Sequence, residues 1–108
     1  MVMQIVNNII AAGAHVRGEI AMQGNLRIEG NFEGVIYTEG RVYISSTGKV
    51  FSDIHSDEVI VGGLLVGNIY AAKSIKFLNT GRIHGNMYTR KIAAEEGVLF
   101  EGDCVLIK

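Results

Sequence analysis

Apolar residues in this chain recur in pairs whose members are separated by one residue. The pairs fall at matching places along the sequence and are Leu26/Ile28, Val42/Ile44, Val59/Val61, Ile75/Phe77 and Ile92/Ala94. Because alternate side chains of a β-strand point to the same side, this spacing predicts short strands that each bury one face. Turn residues such as Glu29-Gly30 and Gly62-Gly63 follow most of the pairs, and we expect the chain to change direction there.

A column of glycines repeats with the same period. Its members are Gly18, Gly34, Ser52, Gly67, Gly85 and Gly102, with serine once in place of glycine and steps of 15 to 18 residues. Mostly apolar side chains stand two residues before and two after each member, as Val16/Ile20, Phe32/Ile36, Val50/Ile54, Leu65/Ile69, Ile83/Met87 and Phe100/Cys104. A repeat of about 17 residues that keeps several columns in register is typical of stacked coils.

These repeats predict an all-β fold, a right-handed parallel β-helix of about six coils over residues 13–108. Residues 1–12 are predicted to form a short N-terminal segment before these coils. An α-helical solenoid is excluded because the apolar residues alternate and because frequent glycine destabilises helices. The right hand is favoured because left-handed β-helices keep an apolar residue at every sixth position, whereas the coil lengths here are irregular.

Neither end of the predicted rod carries a polar cap. The last coil, residues 98–107, is as apolar as the interior coils, and residues 1–12 are also largely apolar. Open strand edges and apolar ends are templates for joining another copy, so we expect end-to-end polymerisation. The alternatives are a closed dimer and a monomer whose N-terminal segment folds back as a cap.

The contacts of such a joint are expected from apolar residues of the outermost coils. They are Val98, Leu99, Phe100, Leu106 and Ile107 at the C-terminal end, and Ile10, Val16 and Ile20 at the N-terminal end. Because burying an unpaired charge is costly, arginine in place of Phe100 is expected to prevent joining while the solenoid stays folded.

Composition and charge narrow the choice of function. The 108 residues include 10 basic and 11 acidic side chains, and the sequence pI is about 6.3. Nucleic-acid-binding domains usually show a basic patch or a high pI, so we expect no nucleic-acid partner. The single cysteine, Cys104, fits a reducing compartment and is expected to be buried as a small apolar residue. Without a membrane-spanning apolar run or a secretory signal, the sequence predicts a cytoplasmic protein.

No group of residues indicates catalysis. His15, His55 and His84 fall at different offsets from the glycine column, so they do not form the shared column that a zinc site between coils needs. They are expected to be exposed or half-exposed strand residues. The acidic residues lie mostly at turns, without the long loops that would build a cleft. We therefore expect no enzyme, no metal and no cofactor.

Three tyrosines, Tyr37, Tyr70 and Tyr88, are predicted to form one outward column. The other positions of that column hold Ala21, His55 and Val105, which interrupt it. An exposed aromatic row offers a lateral docking surface for bundling or for a partner enzyme, or it stabilises the sheet by stacking between coils. A non-polymerising dimeric adaptor that binds through this face is the alternative function.

Two stretches of the sequence resemble the bactofilins, a family of polymer-forming bacterial cytoskeletal proteins. Residues 10–20 read Ile-Ala-Ala-Gly-Ala-His-Val-Arg-Gly-Glu-Ile, which is of the type I-x-x-G-x-x-I-x-G-x-I. Residues 24–36 read Gly-Asn-Leu-Arg-Ile-Glu-Gly-Asn-Phe-Glu-Gly-Val-Ile, which is of the type G-x-L-x-I-x-G-x-h-x-G-x-I. The resemblance extends over residues 10–107.

The resemblance implies a right-handed β-helix of triangular cross-section that assembles without nucleotide into filaments through end-to-end contacts. It also implies a scaffold at the inner face of the cytoplasmic membrane, which influences cell shape and positions peptidoglycan-modifying enzymes. In the family an apolar aromatic residue of the final coil is important for polymer contacts, and Phe100 occupies the matching position.

The N-terminal segment departs from the family's membrane-targeting tails. Those tails combine apolar residues with lysine or arginine, whereas residues 1–12 contain no charged side chain and lack attraction to anionic lipid. Two roles stay open for Ile5, Val6 and Ile9, which are contact with a membrane or partner and packing over the first coil as a partial cap.

Overall fold

The computed structural model describes the backbone of residues 2–3 and 6–107 and the side chains of residues 9–107. All regular structure within these residues is β-strand, and they contain no helix. The strands are β1 (Val2–Met3), β2 (Val6–Ile10), β3 (His15–Ile28), β4 (Asn31–Thr38), β5 (Arg41–Ile44), β6 (Lys49–Val61), β7 (Leu64–Val66), β8 (Ile69–Phe77), β9 (Arg82–His84), β10 (Met87–Thr89), β11 (Ile92–Ala94), β12 (Leu99–Glu101) and β13 (Cys104–Leu106). The all-β fold predicted from the alternating apolar pairs is confirmed.

The strands pair in parallel from coil to coil, along three ladders. The inward column of the first ladder is Val16, Phe32, Val50, Leu65, Ile83 and Phe100. The second ladder has the column Ile20, Ile36, Ile54, Ile69, Met87 and Cys104. The third has the column Ile10, Ile28, Ile44, Val61, Phe77 and Ala94. This register is the parallel β-helix of about six coils that the repeat predicts.

The three columns meet in one continuous core along the rod. Every member between Phe32 and Ile83, between Ile20 and Met87, and between Ile10 and Phe77 is no more than 5% exposed. Each such side chain stabilises the fold by roughly 1.5–3 kcal/mol relative to its exposed state. Because each coil covers only its neighbours, the core exists only as a stack, and its outermost members depend on what lies beyond them.

The glycine column lies where successive coils come closest. Gly34 has a φ of +143°, and a Cβ at this position would lie 1.8 Å from the carbonyl oxygen of Gly18 in the coil before. Gly85 has the same relationship to Gly67, with a φ of +150°. Ser52 replaces glycine once, and its buried hydroxyl donates to the Asp53 carbonyl at 2.7 Å. The period of the column therefore reflects close packing of backbones between coils.

The N-terminal segment extends the ladders. Strand β1 places Met3 beside Ile20, and strand β2 places Ile10 beside Ile28. Ile10 is buried, whereas its neighbour Ile9 points outward and is 60% exposed. Parallel pairing therefore continues on the N-terminal side of residue 13, where the sequence predicted the first coil to begin.

Two residues predicted for a cap or a membrane contact cannot be placed against the core. Ile5 lies outside the described residues, and Val6 is described by its backbone alone, which pairs with Gln23. The roles expected for these two side chains stay predictions.

Candidate assembly surfaces

The last three strands of the described chain each pair along one edge. Strand β11 pairs with β8, β12 with β9, and β13 with β10, and no further strand follows within residues 2–3 and 6–107. Their outer edges present backbone N–H and C=O groups that no strand of the described residues pairs. Such an edge is a template for a strand of another chain. We call the surface formed by these edges and by the side chains of Phe100, Cys104 and Leu106 the C-terminal tip.

Phe100 is the last member of the first inward column. It follows Ile83 in register, is partly buried and packs against the core. Its ring also contacts Phe77 of the third column, with centroids 5.6 Å apart and planes at 42°. Phe77 needs this cover because Ala94, the next residue of its own column, carries only a methyl group. One part of the Phe100 ring thus completes the core, and the remainder stays accessible at the tip.

Leu106 and Val98 also lie near the C-terminal tip. Leu106 follows the buried Thr89 in register, yet it is 63% exposed because no later coil of the described residues covers it. Val98 is partly buried and packs against the core beside Phe100. Leu106 therefore offers apolar area to a partner at the tip, and Val98 supports the coil from within.

The remaining two residues predicted for this joint lie on lateral surfaces. Leu99 pairs with the outward Arg82 and is 62% exposed. The backbone N–H of Ile107 donates to the Thr89 carbonyl at 2.7 Å, and its side chain lines a groove along the side of the rod. The alternation of strand β12 explains the position of Leu99, because Phe100 next to it points inward.

The prediction that Cys104 is buried is wrong. Cys104 continues the inward column after Met87, but it is exposed because the described chain places no coil beyond it. Partial burial, and to a smaller extent the neighbouring Asp103 carboxylate, raise the pKa of the Cys104 thiol above its usual value. The thiol therefore stays protonated near neutral pH and is a weak nucleophile there.

The N-terminal end differs from the sequence expectation at two of its three residues. Ile20 is fully buried beside strand β1, and Ile10 is also buried, so neither is accessible to a second molecule. Val16 is partly exposed, because no strand of the described residues pairs on its outer side. Of the three residues predicted for this end, Val16 is the one that a partner can reach.

Four aromatic rings stack along one side of the rod. They belong to Tyr37, His55, Tyr70 and Tyr88, and successive centroids are 4.9, 4.6 and 4.9 Å apart. The planes of successive rings lie within 13° of parallel. We call this row the aromatic ladder. The sequence interpretation, which treated His55 as an interruption of the tyrosine column, is wrong because the imidazole ring stacks between Tyr37 and Tyr70.

A groove of about 900 Å³ runs beside the aromatic ladder. One wall is formed by the four rings. Glu39 and Asp57 belong to the lining as well, together with the buried residues Thr38, Ser56 and Ala71. The groove reaches from Ala21 in an early coil to Ile107 in the last, so it extends along most of the rod.

A second ladder, made of aspartate and asparagine, links the later coils at one corner. Asp53 Oδ1 accepts from the backbone N–H of Asn68 at 3.1 Å, and Asn68 Oδ1 accepts from that of Asn86 at 3.1 Å. Asn86 Oδ1 in turn accepts from the backbone N–H of Asp103 at 3.2 Å. Each of these residues directly follows a member of the glycine column, a signal that the sequence analysis missed. The ladder holds adjacent coils in register up to the C-terminal tip.

The sequence also matches a family of known proteins. The sequence model of a family described as "Bactofilin: Polymer-forming cytoskeletal" matches residues 8–105. The chain belongs to the bactofilin family. Membership makes it a polymer-forming cytoskeletal protein and agrees with the resemblance seen in residues 10–20 and 24–36.

Relatives from Myxococcus xanthus (strain DK1622) carry the same family name. The chain is 28% identical to Bactofilin BacO over 97 residues, or 90% of this chain and 77% of BacO. It is 24% identical to Bactofilin BacP over 96 residues, or 89% of this chain and 40% of BacP. It is 41% identical to Bactofilin BacN over 51 residues, or 47% of this chain and 45% of BacN. No solved structure matches this bactofilin significantly.

Where acidic and basic side chains of this bactofilin meet among the described residues, they do so as pairs of one basic and one acidic residue at exposed or half-exposed positions. Among the described residues no three of the metal-ligating types His, Cys, Asp and Glu converge on one point. His15 shares a hydrogen bond of 3.1 Å with the Asn31 side chain, and His84 lies 3.2 Å from Glu101 at the surface. The expectation that the histidines are exposed or half-exposed is confirmed. The described residues also hold no helix that is long and apolar enough to cross a bilayer.

Proposed function

We propose that the protein is a structural cytoskeletal scaffold whose solenoids join end to end into filaments without nucleotide. The observation that carries this proposal is the C-terminal tip. Within the described residues the outer edges of β11, β12 and β13 pair with no strand, and Phe100 and Leu106 remain accessible although Ile83 and Thr89, which precede them in the same columns, are buried. A polymer-forming family supplies the expectation of self-association, and the tip supplies a surface for it.

Two forces favour such a joint. The accessible parts of Phe100 and Leu106 would leave water, which stabilises a contact by about 25 cal/mol per Å² of apolar area buried. The unpaired edges of β11, β12 and β13 would gain backbone hydrogen bonds, each with a net value of about 1 kcal/mol. No ligand takes part in either force, so assembly through this surface needs no nucleotide.

A matched pair of variants tests the joint. Phe100→Arg places a charge in the proposed contact, whereas Phe51→Arg makes the same exchange on the lateral surface, where Phe51 is 47% exposed. We expect filaments of normal length from Phe51→Arg and only short particles from Phe100→Arg in negative-stain electron microscopy. Circular dichroism should show unchanged β-structure in both. Normal filaments from Phe100→Arg would contradict the proposal.

The finer cellular role follows from the family resemblance. We propose that the filaments lie in the cytoplasm at the inner face of the membrane and organise peptidoglycan-modifying enzymes that determine cell shape. Cells carrying Phe100→Arg should then show the same shape and the same pattern of new cell-wall label as cells without the gene. Cells carrying Phe51→Arg should match the wild type. A deletion strain with normal shape and normal wall growth would contradict this role.

A non-polymerising dimeric adaptor is the second candidate, and the aromatic ladder is the observation that favours it. In that case the surface of Tyr37, Tyr70 and Tyr88 would carry the binding function, and the C-terminal tip would be closed within a dimer. Phe100→Arg would then convert a dimer into a monomer, and neither the wild type nor the variant would form filaments.

A further inference from the structure

The lining of the groove beside the aromatic ladder combines aromatic rings with carboxylates. The rings of Tyr37, His55, Tyr70 and Tyr88 cover one another's faces, so they present ring edges and hydroxyl groups to the groove. Tyr37 and Tyr70 remain 47% and 39% exposed despite the stacking. The lining also includes the carboxylates of Glu39 and Asp57, and it contains no lysine or arginine among the described residues.

We propose that this groove binds a segment of a partner protein in the polyproline II conformation, with arginine or lysine at every third residue. Aromatic grooves are a recurrent docking site for this conformation, because the bound segment is already extended and loses little entropy. Three properties of the groove support this occupant, namely its hydrogen-bond donors, its repeat distance and its charge. The inference does not depend on filament formation.

The first property is a row of phenol donors without acceptors. Within the described residues, the hydroxyls of Tyr37, Tyr70 and Tyr88 make no hydrogen bond to another group. A polyproline II segment has no internal hydrogen bonds and keeps its carbonyl groups directed outward. The tyrosine hydroxyls can therefore donate to carbonyls of the segment, whereas an α-helix would already have used most of those acceptors within itself.

The second property is the repeat distance of the rings. Successive centroids are 4.6–4.9 Å apart, so every second ring repeats at about twice that distance. One turn of polyproline II contains three residues and rises roughly 9 Å. Tyr37 and Tyr70, which are separated by one ring, thus match successive turns of a segment that lies along the rod.

The third property is charge. Glu39 and Asp57 occupy successive coils on the groove, and neither has an ion-pair partner in the part of the chain that the structure describes. Because polyproline II has three residues per turn, every third side chain points the same way. The two carboxylates lie one coil apart, about half a turn of polyproline II, so one basic side chain would face both of them while the prolines face the rings.

A fluorescent peptide of Pro-Pro-Arg repeats is the probe, and its anisotropy is measured with the 108-residue chain. A Gly-Ser-Arg peptide of equal length and charge is the matched control ligand. We expect the proline peptide to bind about tenfold more tightly, since the flexible peptide must be ordered on binding. Equal affinity of the two peptides would mean that charge alone attracts them, and it would overturn the proposal.

Variants locate the site. Replacement of Tyr37, Tyr70 and Tyr88 by phenylalanine keeps the stack but removes the hydroxyls, and it should weaken the proline peptide about tenfold. Glu39→Gln with Asp57→Asn should weaken it similarly and reduce its dependence on salt.

Two control variants lie outside the groove. Tyr43→Phe, on the third ladder, and Glu33→Gln, on the first, should each leave affinity within about twofold. Unchanged binding by the groove variants would overturn the proposal. So would an absence of peptide binding combined with altered lateral bundling, because the occupant of the groove would then be a second copy of this chain.

Discussion

Phe100 and Phe77 come from different inward columns, yet their rings lie 5.6 Å apart and meet at 42°. The contact exists because the column of Phe77 ends in the small Ala94, which leaves the ring to be covered from the side. A single residue therefore closes the core of the last coil and also forms the centre of the surface available to a second molecule. Stability and assembly can be separated at this position by the choice of substitution.

Alanine substitutions should show how far Phe100 belongs to the core. Phe32→Ala removes a ring that is 1% exposed in the same column and should lower the free energy of unfolding by about 3–5 kcal/mol. Phe100→Ala should cost less, about 1–2 kcal/mol, because part of its ring is accessible in the free chain. Urea unfolding of both variants would check this order, with Phe51→Ala measured alongside as the control at an exposed phenylalanine. Equal losses at the two sites would mean that the tip is covered by the chain itself.

The single thiol reports on whether the C-terminal tip is occupied. Cys104 lies beside Phe100 in the last coil and is exposed in the free chain. Labelling with a maleimide should be slow in assembled wild-type protein and at least about tenfold faster in Phe100→Arg. Equal rates in both proteins would contradict burial of this surface on assembly.

The pH dependence of the same labelling follows from the raised pKa of Cys104. A raised thiol pKa means that less thiolate is present at a given pH, so labelling of dispersed protein at pH 8 should be slower than that of an unstructured cysteine peptide. Asp103→Asn removes the smaller cause of the shift, and burial remains. The variant should therefore move the pH profile toward lower pH without reaching the peptide's profile. A profile unchanged by Asp103→Asn would contradict the electrostatic contribution.

Because coils approach closely at Gly85 but not at Gly13, substitution by alanine should destabilise the fold far more at Gly85. Gly85→Ala would place a Cβ 1.8 Å from the Gly67 carbonyl oxygen, and the backbones of two coils would have to separate. Gly13 has a φ of +86°, and a Cβ added there would meet no atom within 4 Å, so Gly13→Ala should cost only about 1–2 kcal/mol of conformational strain. We expect Gly85→Ala to disrupt the C-terminal coils, as measured by protease sensitivity and loss of β-signal. A similar melting temperature for the two variants would contradict this explanation of the column.

The imidazole of His55 should contribute measurably to the stack. It makes two ring contacts, at 4.9 Å with Tyr37 and 4.6 Å with Tyr70, and aromatic pairs stabilise by about 0.5–1.5 kcal/mol each. His55→Ser should therefore lower stability by about 1–2 kcal/mol and change the near-ultraviolet circular dichroism of the tyrosines. His84→Ser, at an exposed position without a ring contact, is the matched control and should change neither. Equal effects of the two substitutions would rule out a structural role for the stack.

The repeat predicts most of this fold because residues at the same place in successive repeats become neighbours when the coils stack. Val16 and Phe32, for example, stand at the same offset from Gly18 and Gly34, and they lie side by side in the first ladder. Parallel stacking leaves little freedom once the period is known, so the columns and their inward faces follow from the sequence.

The predictions from the sequence that are wrong concern residues at the ends of the repeat, or a position where the residue type changes within a column. Cys104 has the inward position that the repeat assigns, but burial also requires a later coil, which the described residues lack. His55 differs from tyrosine in polarity, and hydropathy alone could not show that its flat ring stacks equally well. Ile20 was expected at an end because the glycine column begins at Gly18, whereas β1 extends the second ladder past it.

Sedimentation velocity of the purified chain over a range of concentrations tests the central claim most directly. Wild-type protein and Phe51→Arg should sediment as large, broadly distributed species at all but the lowest concentrations. Phe100→Arg should sediment as a small species at every concentration. A wild-type chain that stays a compact monomer or dimer at high concentration, with no change caused by Phe100→Arg, would contradict assembly through the C-terminal tip.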